Sequence, residues 1–161
     1  MKIQLDYEIK IEVKEGNKVK EKLTIFYREF TKVEQKEQET LSKQFQKIFK
    51  KAQKIERKQN SLTKKAELFE LNKDYEKALK AISEREELEE DSDSLMDELN
   101  EIGGGDQNVF LETTAAKRFE TLVSGKDKEK LYAIGEVKGF VALMRNLDAT
   151  KAELEKKQSG E

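Results

Sequence analysis

The sequence contains no cysteine, no histidine, no proline and no tryptophan among its 161 residues. Without cysteine, the chain forms no disulfide, no thiolate zinc site and no cysteine nucleophile. Without histidine, it lacks the most common general base and the most common metal ligand. We therefore predict a protein that is not an enzyme and that holds no cofactor and no metal ion.

Long apolar runs are also missing, since no window of 18 residues is apolar throughout. The first ten residues, MKIQLDYEIK, alternate between polar and apolar side chains and contain no signal-peptide core. We therefore expect a cytoplasmic protein that does not associate with membranes.

Charged residues, by contrast, make up 41% of the chain. This composition, together with the absence of proline, is typical of long helices and coiled coils. Leucine, isoleucine, valine and phenylalanine supply about a quarter of the residues, above the level of disordered chains but low for a thick core. The length suits one domain, or a small domain attached to an extended helical element.

The first 30 residues predict a β-hairpin. Apolar residues alternate with polar ones from Ile3 to Val13, and the alternation resumes at Val19, Leu23, Ile25 and Tyr27 after the turn residues 15–17. Because two strands with one apolar face are not stable alone, a helix of the same chain or the hairpin of another copy must cover them.

A long helical hairpin is predicted for residues 31–102. Thr31 and Glu34 have the spacing of a capping box at a helix start. A heptad seam follows, interrupted only by Gln59: Leu41, Phe45, Ile48, Ala52, Ile55, Gln59, Leu62, Ala66 and Phe69. The pattern then loses phase, and a second seam is predicted from Leu71, Tyr75, Ala78, Leu79 and Ile82. A stutter or a turn near residues 72–74 explains the change of phase.

Charge favours the turn. Residues 43–65 carry nine positive side chains and one negative, whereas residues 84–101 carry ten negative side chains and one positive. Folding back near residues 72–74 brings Lys58 near Leu88 and lets the basic stretch face the acidic stretch. Pairing of the arms within one chain and pairing between two chains are both compatible with the sequence.

The remaining residues predict a glycine-rich linker at 103–108 and C-terminal helices at 109–161. The first helix is expected to be capped by Thr113 or Thr114 and to stop at Gly125. The last helix is expected to begin within residues 126–130, with one continuous seam: Ala133, Val137, Phe140, Met144, Leu147 and Leu154. We expect this part to pack onto the sheet or onto the base of the helical hairpin.

Two motifs that suggest sites have simpler explanations. Residues 91–102 resemble a calcium-binding loop, but its sixth and twelfth positions hold Met96 and Ile102 where glycine and glutamate are required. Gly135 and Gly139 form a Gly-x-x-x-Gly motif whose neighbours Glu136 and Lys138 exclude a membrane span. We interpret it as a helix that closely approaches a neighbouring helix.

The basic stretch is the best candidate for a partner site. Clustered cations bind nucleic acids through phosphate contacts. The net charge of −2 and the small number of aromatic residues in the stretch argue against that partner. The candidate residues are Lys47, Lys50, Lys51, Lys54, Arg57 and Lys58.

Two segments carry a resemblance to a known family. KLTIFYREFTKVEQKE, residues 22–37, resembles the start of small phage and prophage tail-assembly chaperones, and AAKRFETLVSGKDKEKLYAIGE, residues 115–136, resembles a helical pair near their end. The resemblance covers about a third of the chain, and residues 38–114 are longer than the helical body expected for that family. It implies a hairpin before a helical body, and binding to a tape-measure or tube protein without catalysis.

The sequence thus predicts an α+β, mostly α protein with an N-terminal β-hairpin, a long antiparallel helical hairpin and a small C-terminal helical part. The predicted function is a non-enzymatic interaction or assembly module that associates with proteins, including itself, through heptad seams and the exposed sheet edge. The alternative is a nucleic-acid-associated coiled-coil protein that binds through residues 43–65.

Overall fold

The computed structural model describes residue 1 and residues 4–160. It confirms the predicted fold class, because an N-terminal antiparallel β-hairpin precedes a mostly helical chain with one long helix and a small C-terminal helical part. The elements are β1 (Asp6–Glu15), β2 (Lys18–Arg28), α1 (Lys32–Leu71), α2 (Tyr75–Glu87), α3 (Glu89–Ile102), α4 (Gln107–Leu122), β3 (Val123–Ser124), α5 (Lys128–Lys138) and α6 (Phe140–Ser159). They divide into two compact units, Met1–Gln35 with Asn108–Glu161, and Lys36–Gln107.

The β-hairpin follows the predicted alternation. Tyr7 lies opposite Tyr27 and Ile9 opposite Ile25, and all four side chains are buried. Gly16 has a φ of +62° at the turn, a conformation that residues with a Cβ rarely adopt.

The prediction was wrong at the two ends of the apolar face. Leu5 is 77% exposed because β1 begins only at Asp6, where its partner strand β2 ends. Val19 is exposed near the turn, where the register shifts: Val13 pairs with Glu21 and Lys14 with Val19. Ile3, the first residue of the predicted strand, lies outside the described residues.

The C-terminal helices cover the sheet, which is the first of the two arrangements expected from the sequence. One core joins Ile9 and Ile25 of the hairpin with Phe119 of α4, Leu131 of α5 and Met144 of α6. The short strand β3 pairs with β2, so the sheet order is β1-β2-β3. Strand β3 was not predictable from the sequence, because two residues are too few to show a period.

The prediction of a single last helix was also wrong. Gly139, with a φ of +93°, separates α5 from α6, and Val137 of the predicted seam is 81% exposed. The predicted caps Thr113 and Thr114 lie inside α4, which begins at Gln107. The expected close approach of a helix is present, because buried Gly135 of α5 lies against the ring of Phe140.

The second unit is built on α1, a helix of 40 residues that begins in the first unit. All nine predicted seam positions from Leu41 to Phe69 are buried or half-buried, which confirms this seam. Arg85 of α2 donates a hydrogen bond to Thr63 of α1 (3.1 Å). Because these residues lie on either side of the turn at residues 72–74, the helices run antiparallel within one chain.

The predicted second seam was wrong at three of its five positions, whereas Ala78 is buried and Ile82 half-buried as predicted. Leu71, Tyr75 and Leu79 are 79%, 61% and 67% exposed, whereas Ala78 and Ala81 are buried. The turn resets the phase of the helix, so α2 buries Ala78 and Ala81 and exposes Tyr75 and Leu79. A further break at Leu88, whose N–H bonds to the carbonyl of Arg85 (3.2 Å), divides the second arm into α2 and α3.

Candidate functional site

The six candidate basic residues share one face of α1. They recur at steps of three and four, the spacing that aligns side chains along a helix. Every one is exposed: Lys47, Lys50, Lys51, Lys54, Arg57 and Lys58. We call these residues the basic face; it extends about 17 Å along the helix, given a rise of 1.5 Å per residue.

The predicted pairing of the basic face with the chain's own carboxylates is not formed. In residue 1 and residues 4–160, no ion pair of 4 Å or less joins residues 43–65 to the acidic stretch 84–101. All ten carboxylates of that stretch are exposed as well. The reason is geometric, since neighbouring residues of a helix point about 100° apart and a lysine beside a seam residue therefore points away from the partner helix. The hydrogen bond from Arg85 to Thr63 joins the arms instead.

An exposed row of cations attracts polyanions. Such a row neutralises phosphates and releases their counterions, so binding falls steeply as salt rises. The basic face therefore remains the candidate surface for a polyanion. It lies exposed to solvent on the second unit.

The sheet of the first unit has one partly covered edge, that of β2. Beyond β2, Phe26 pairs with Ser124 and Tyr27 with Val123 of β3. Further along the same edge, the backbone N–H of Thr24 donates to the buried carboxylate of Asp127 (2.8 Å). These contacts cover the β2 edge from Thr24 to Tyr27.

The edge of β1 is open in the described part of the chain, where β2 is its only strand partner. Beside this edge runs an apolar groove of about 420 Å³ between β1 and the helices α5 and α6. All five residues from Ile9 to Val13 line the groove, both those facing the helices and those facing away. The groove therefore reaches the backbone of the edge strand itself.

The helix side of the groove is mainly aliphatic: Leu131, Ile134, Ala142, Leu143 and Leu147. On β1, Ile11 and Val13 are half-buried, whereas Lys10 and Glu12 are exposed. An open strand edge beside apolar pockets binds an extended peptide, because backbone hydrogen bonds supply affinity and the pockets take alternate side chains. The uninterrupted alternation in residues 6–13 predicts this strand from the sequence. No sequence signal predicts the groove, because helices far along the chain from β1 form its wall.

A polar cluster anchors the sheet to α4 and α6. The Tyr27 hydroxyl donates to Asp148, and the Arg118 guanidinium lies 3.4 Å from both Tyr27 and Asp148. Burial, followed by the hydrogen bond to Asp148, raises the pKa of Tyr27 well above its usual range. Arg118 also lies over the ring of Phe30, 5.5 Å from the ring centre. This cluster was not predictable from the sequence, because Arg118 and Asp148 lie 91 and 121 positions from Tyr27.

The predicted capping box is present at the start of α1. Thr31 Oγ1 accepts from the N–H of Glu34 (3.2 Å), and Glu34 Oε1 accepts from the N–H of Thr31 (3.0 Å). Arg28 adds a two-pronged ion pair to Glu34 (2.7 and 3.0 Å). The hydrogen bond from Arg28, followed by that from Thr31, lowers the pKa of Glu34 to about 2.

Within the described ranges, no three or more acidic side chains are grouped so as to hold a metal ion. No helix among the same residues is long and apolar enough to cross a lipid bilayer. Comparison of the chain with protein-family models, curated proteins and solved structures finds no match.

Proposed function

We propose that the chain is a non-enzymatic interaction module in protein assembly, of the type of the phage and prophage tail-assembly chaperones. Its partner binds the open edge of β1 and fills the apolar groove beside it. The resemblance of residues 22–37 and 115–136 to that family supports a tail-tube or tape-measure protein as the partner.

The observation that carries this proposal is the contrast between the two sheet edges. Asp127 and β3 occupy residues 24–27 of the β2 edge, whereas the β1 edge is open along the groove. Two of the devices that protect an open edge, proline and an inward-pointing charge, are absent from residues 6–13 of β1. Residues 7, 9, 11 and 13 of β1 point to the helix side and carry no charge. An edge of this kind is suited to binding.

The proposal is tested by co-expressing the chain with the tail-tube and tape-measure proteins encoded beside its gene. Co-purification is expected for the wild type and for Lys22→Gln, a control on the exposed face of β2. Val13→Lys, which places a charge in the groove, is expected to abolish it while leaving the circular dichroism spectrum unchanged. The absence of such neighbouring genes, or co-purification undiminished by Val13→Lys, contradicts the proposal.

The second candidate function is nucleic-acid binding by the basic face. The observation that favours it is that all six cations are exposed and unpaired with carboxylates in the described part of the chain. Fluorescence anisotropy with a labelled DNA duplex across a salt series tests it. Replacing Lys50, Lys51, Lys54 and Lys58 with glutamine is expected to lower the slope of log affinity against log salt by about three to four. Lys18→Gln and Lys20→Gln on β2 are the controls, and a lack of binding at low salt excludes this function.

A further inference from the structure

We infer that the open edge of β1 pairs with β1 of a second copy of this chain, antiparallel and with Ile11 opposite Ile11. This inference rests on the interaction role proposed above for the same edge and names an additional partner, the chain itself.

The register follows from the two faces of β1. Side chains directly opposite each other in an antiparallel pair lie on the same face of the sheet. Odd-numbered residues from Tyr7 to Val13 face the helices, and the even-numbered residues from Asp6 to Lys14 are exposed on the other face. In a symmetric pair of β1 strands, the two-fold axis must therefore pass between two copies of one residue, which we call the centre. Odd-numbered residues then lie opposite odd-numbered ones, and even-numbered residues opposite even-numbered ones.

Charge selects Ile11 as the centre. In that register Glu8 lies opposite Lys14 and Lys10 opposite Glu12, and two-fold symmetry repeats each pair. All four ion pairs are complementary. On the odd-numbered face, Ile9 meets Val13 and Ile11 meets its own copy at the centre, while Tyr7 meets Glu15 at each end of the strand pair.

Three neighbouring registers oppose like charges, and a fourth, centred on Val13, forms only the two ion pairs between Glu12 and Lys14, against four in the Ile11 register. Centring on Lys10 places Lys10 opposite itself and Glu8 opposite Glu12. Centring on Glu12 places Glu12 opposite itself and Lys10 opposite Lys14. Centring on Ile9 opposes Asp6 and Glu12. Since like charges directly opposite each other destabilise a strand pair, the Ile11 register is favoured.

The groove places apolar side chains of both copies next to each other. Ile11 and Val13 are half-buried at the groove, and the paired strand brings the same two residues of the second copy to the helix-facing side. Pairing joins the two three-stranded sheets into one. It also uses the open β1 edge of both copies, so the assembly closes as a dimer and does not grow into a fibre.

Sedimentation velocity of two charge-reversal variants tests the register. Glu8→Lys and Lys14→Glu each place like charges opposite each other in the dimer, whereas their partners within the chain, Phe26 and Val19, are uncharged. The wild type is expected to dimerise, and each variant alone to dimerise about tenfold more weakly, given two reversed pairs of up to about 1 kcal/mol each. An equimolar mixture of the variants is expected to regain wild-type dimerisation, because the heterodimer restores complementary charge at every pair.

A crosslink gives an independent test. The chain has no cysteine, so Ile11→Cys introduces its single thiol. Directly opposite residues of an antiparallel pair have Cα atoms about 4.5 to 5.5 Å apart, within the range of a disulfide. Oxidation is expected to crosslink Ile11→Cys rapidly and the control Lys10→Cys slowly, since Lys10 lies opposite Glu12.

A chain that stays monomeric at all concentrations overturns the inference, as does a dimer that the mixed variants do not restore. Failure here is distinct from failure of the proposed function. A monomer that still co-purifies with a tail protein through β1 retains the proposed function and loses the self-pairing. A dimer in the Ile11 register that binds no tail protein retains the self-pairing and loses the proposed function.

Discussion

Gly135 lies so close to the ring of Phe140 that a Cβ at position 135 would come within 2.5 Å of the ring atom Cε1. We expect Gly135→Ala to destabilise the protein by about 1 to 2 kcal/mol, because the overpacking exceeds the gain in helix propensity. Urea denaturation measures the effect.

A second substitution tests whether the ring of Phe140 causes the loss of stability in Gly135→Ala. Phe140→Leu removes the ring, so Gly135→Ala should cost less in that background than in the wild type. Ala133→Gly, an exposed position of the same helix, reports the backbone contribution alone. Equal stability of Gly135→Ala and the wild type would show that α5 and α6 are not packed as described.

Tyr27→Phe removes the hydroxyl that donates to Asp148. We expect a loss of about 1.5 to 3 kcal/mol, the range for a hydrogen bond to a charged group, in the free energy of unfolding. Tyr132→Phe is the matched control, because its hydroxyl makes no hydrogen bond within residues 4–160. If both variants lose the same stability, the polar cluster does not anchor the sheet.

The raised pKa of Tyr27 predicts a dependence on alkaline pH. The folded state keeps the hydroxyl proton above pH 10.0, where the unfolded tyrosine loses it. This contribution to stability is therefore complete below pH 10 and declines as the pH rises further. Subtracting the stability of Tyr27→Phe from that of the wild type between pH 8 and 12 isolates it; a difference that stays constant with pH contradicts the prediction.

The lowered pKa of Glu34 predicts the opposite dependence at acid pH. Its pKa falls from 4.5 to about 2 in the folded state because of Arg28 and Thr31. The contribution is present above pH 4.5 and is lost as the pH falls towards 2. In Glu34→Gln, unfolding followed by circular dichroism between pH 2 and 6 should lose this part of the slope. An unchanged slope would mean that Glu34 is not held by Arg28.

Neutralising the basic face should hardly change stability. Because its lysines are exposed and unpaired within the described ranges, Lys50→Gln with Lys54→Gln should shift the free energy of unfolding by at most about 0.5 kcal/mol. Thr63→Val, which removes the acceptor of Arg85, should cost about 1 kcal/mol. A larger loss for the lysine variants would indicate ion pairs between the arms. Chemical denaturation distinguishes these outcomes.

Sequence periodicity predicted the elements that repeat over many residues. Apolar side chains recur at every third or fourth position in the α1 seam from Leu41 to Phe69. In the strands around Ile9 and Ile25 they recur at every second position. The capping box of Thr31 and Glu34 was predictable because both its partners lie within one helical turn.

The wrong predictions have local causes that periodicity does not contain. Three residues at the turn change the phase of α2, so Ala78 is buried and Leu79 is exposed, although both were predicted in the seam. Gly139 divides a heptad pattern that looks continuous. Glu112 caps the new helix by accepting from the N–H of Phe140 (2.7 Å), a contact across 28 positions. Total charge predicted an attraction between the arms of the helical hairpin, but the direction of each lysine on its helix decides whether an ion pair forms.

The open edge of β1 was predictable only as an exposed sheet edge. Its function as a binding surface depends on Leu143 and Leu147 of α6, which wall the groove more than 120 positions away along the chain. Sequence alone shows the complementary order of Glu8, Lys10, Glu12 and Lys14 but not which edge of the sheet is free.

Hydrogen–deuterium exchange of the β1 amides at increasing protein concentration tests the central claim most directly. If β1 pairs with a second copy, the amides of residues 7–13 that point away from β2 exchange more slowly as the concentration rises, and Glu8→Lys shifts that dependence to about tenfold higher concentration. Fast exchange of these amides at every concentration, in the wild type as in the variant, would contradict the account.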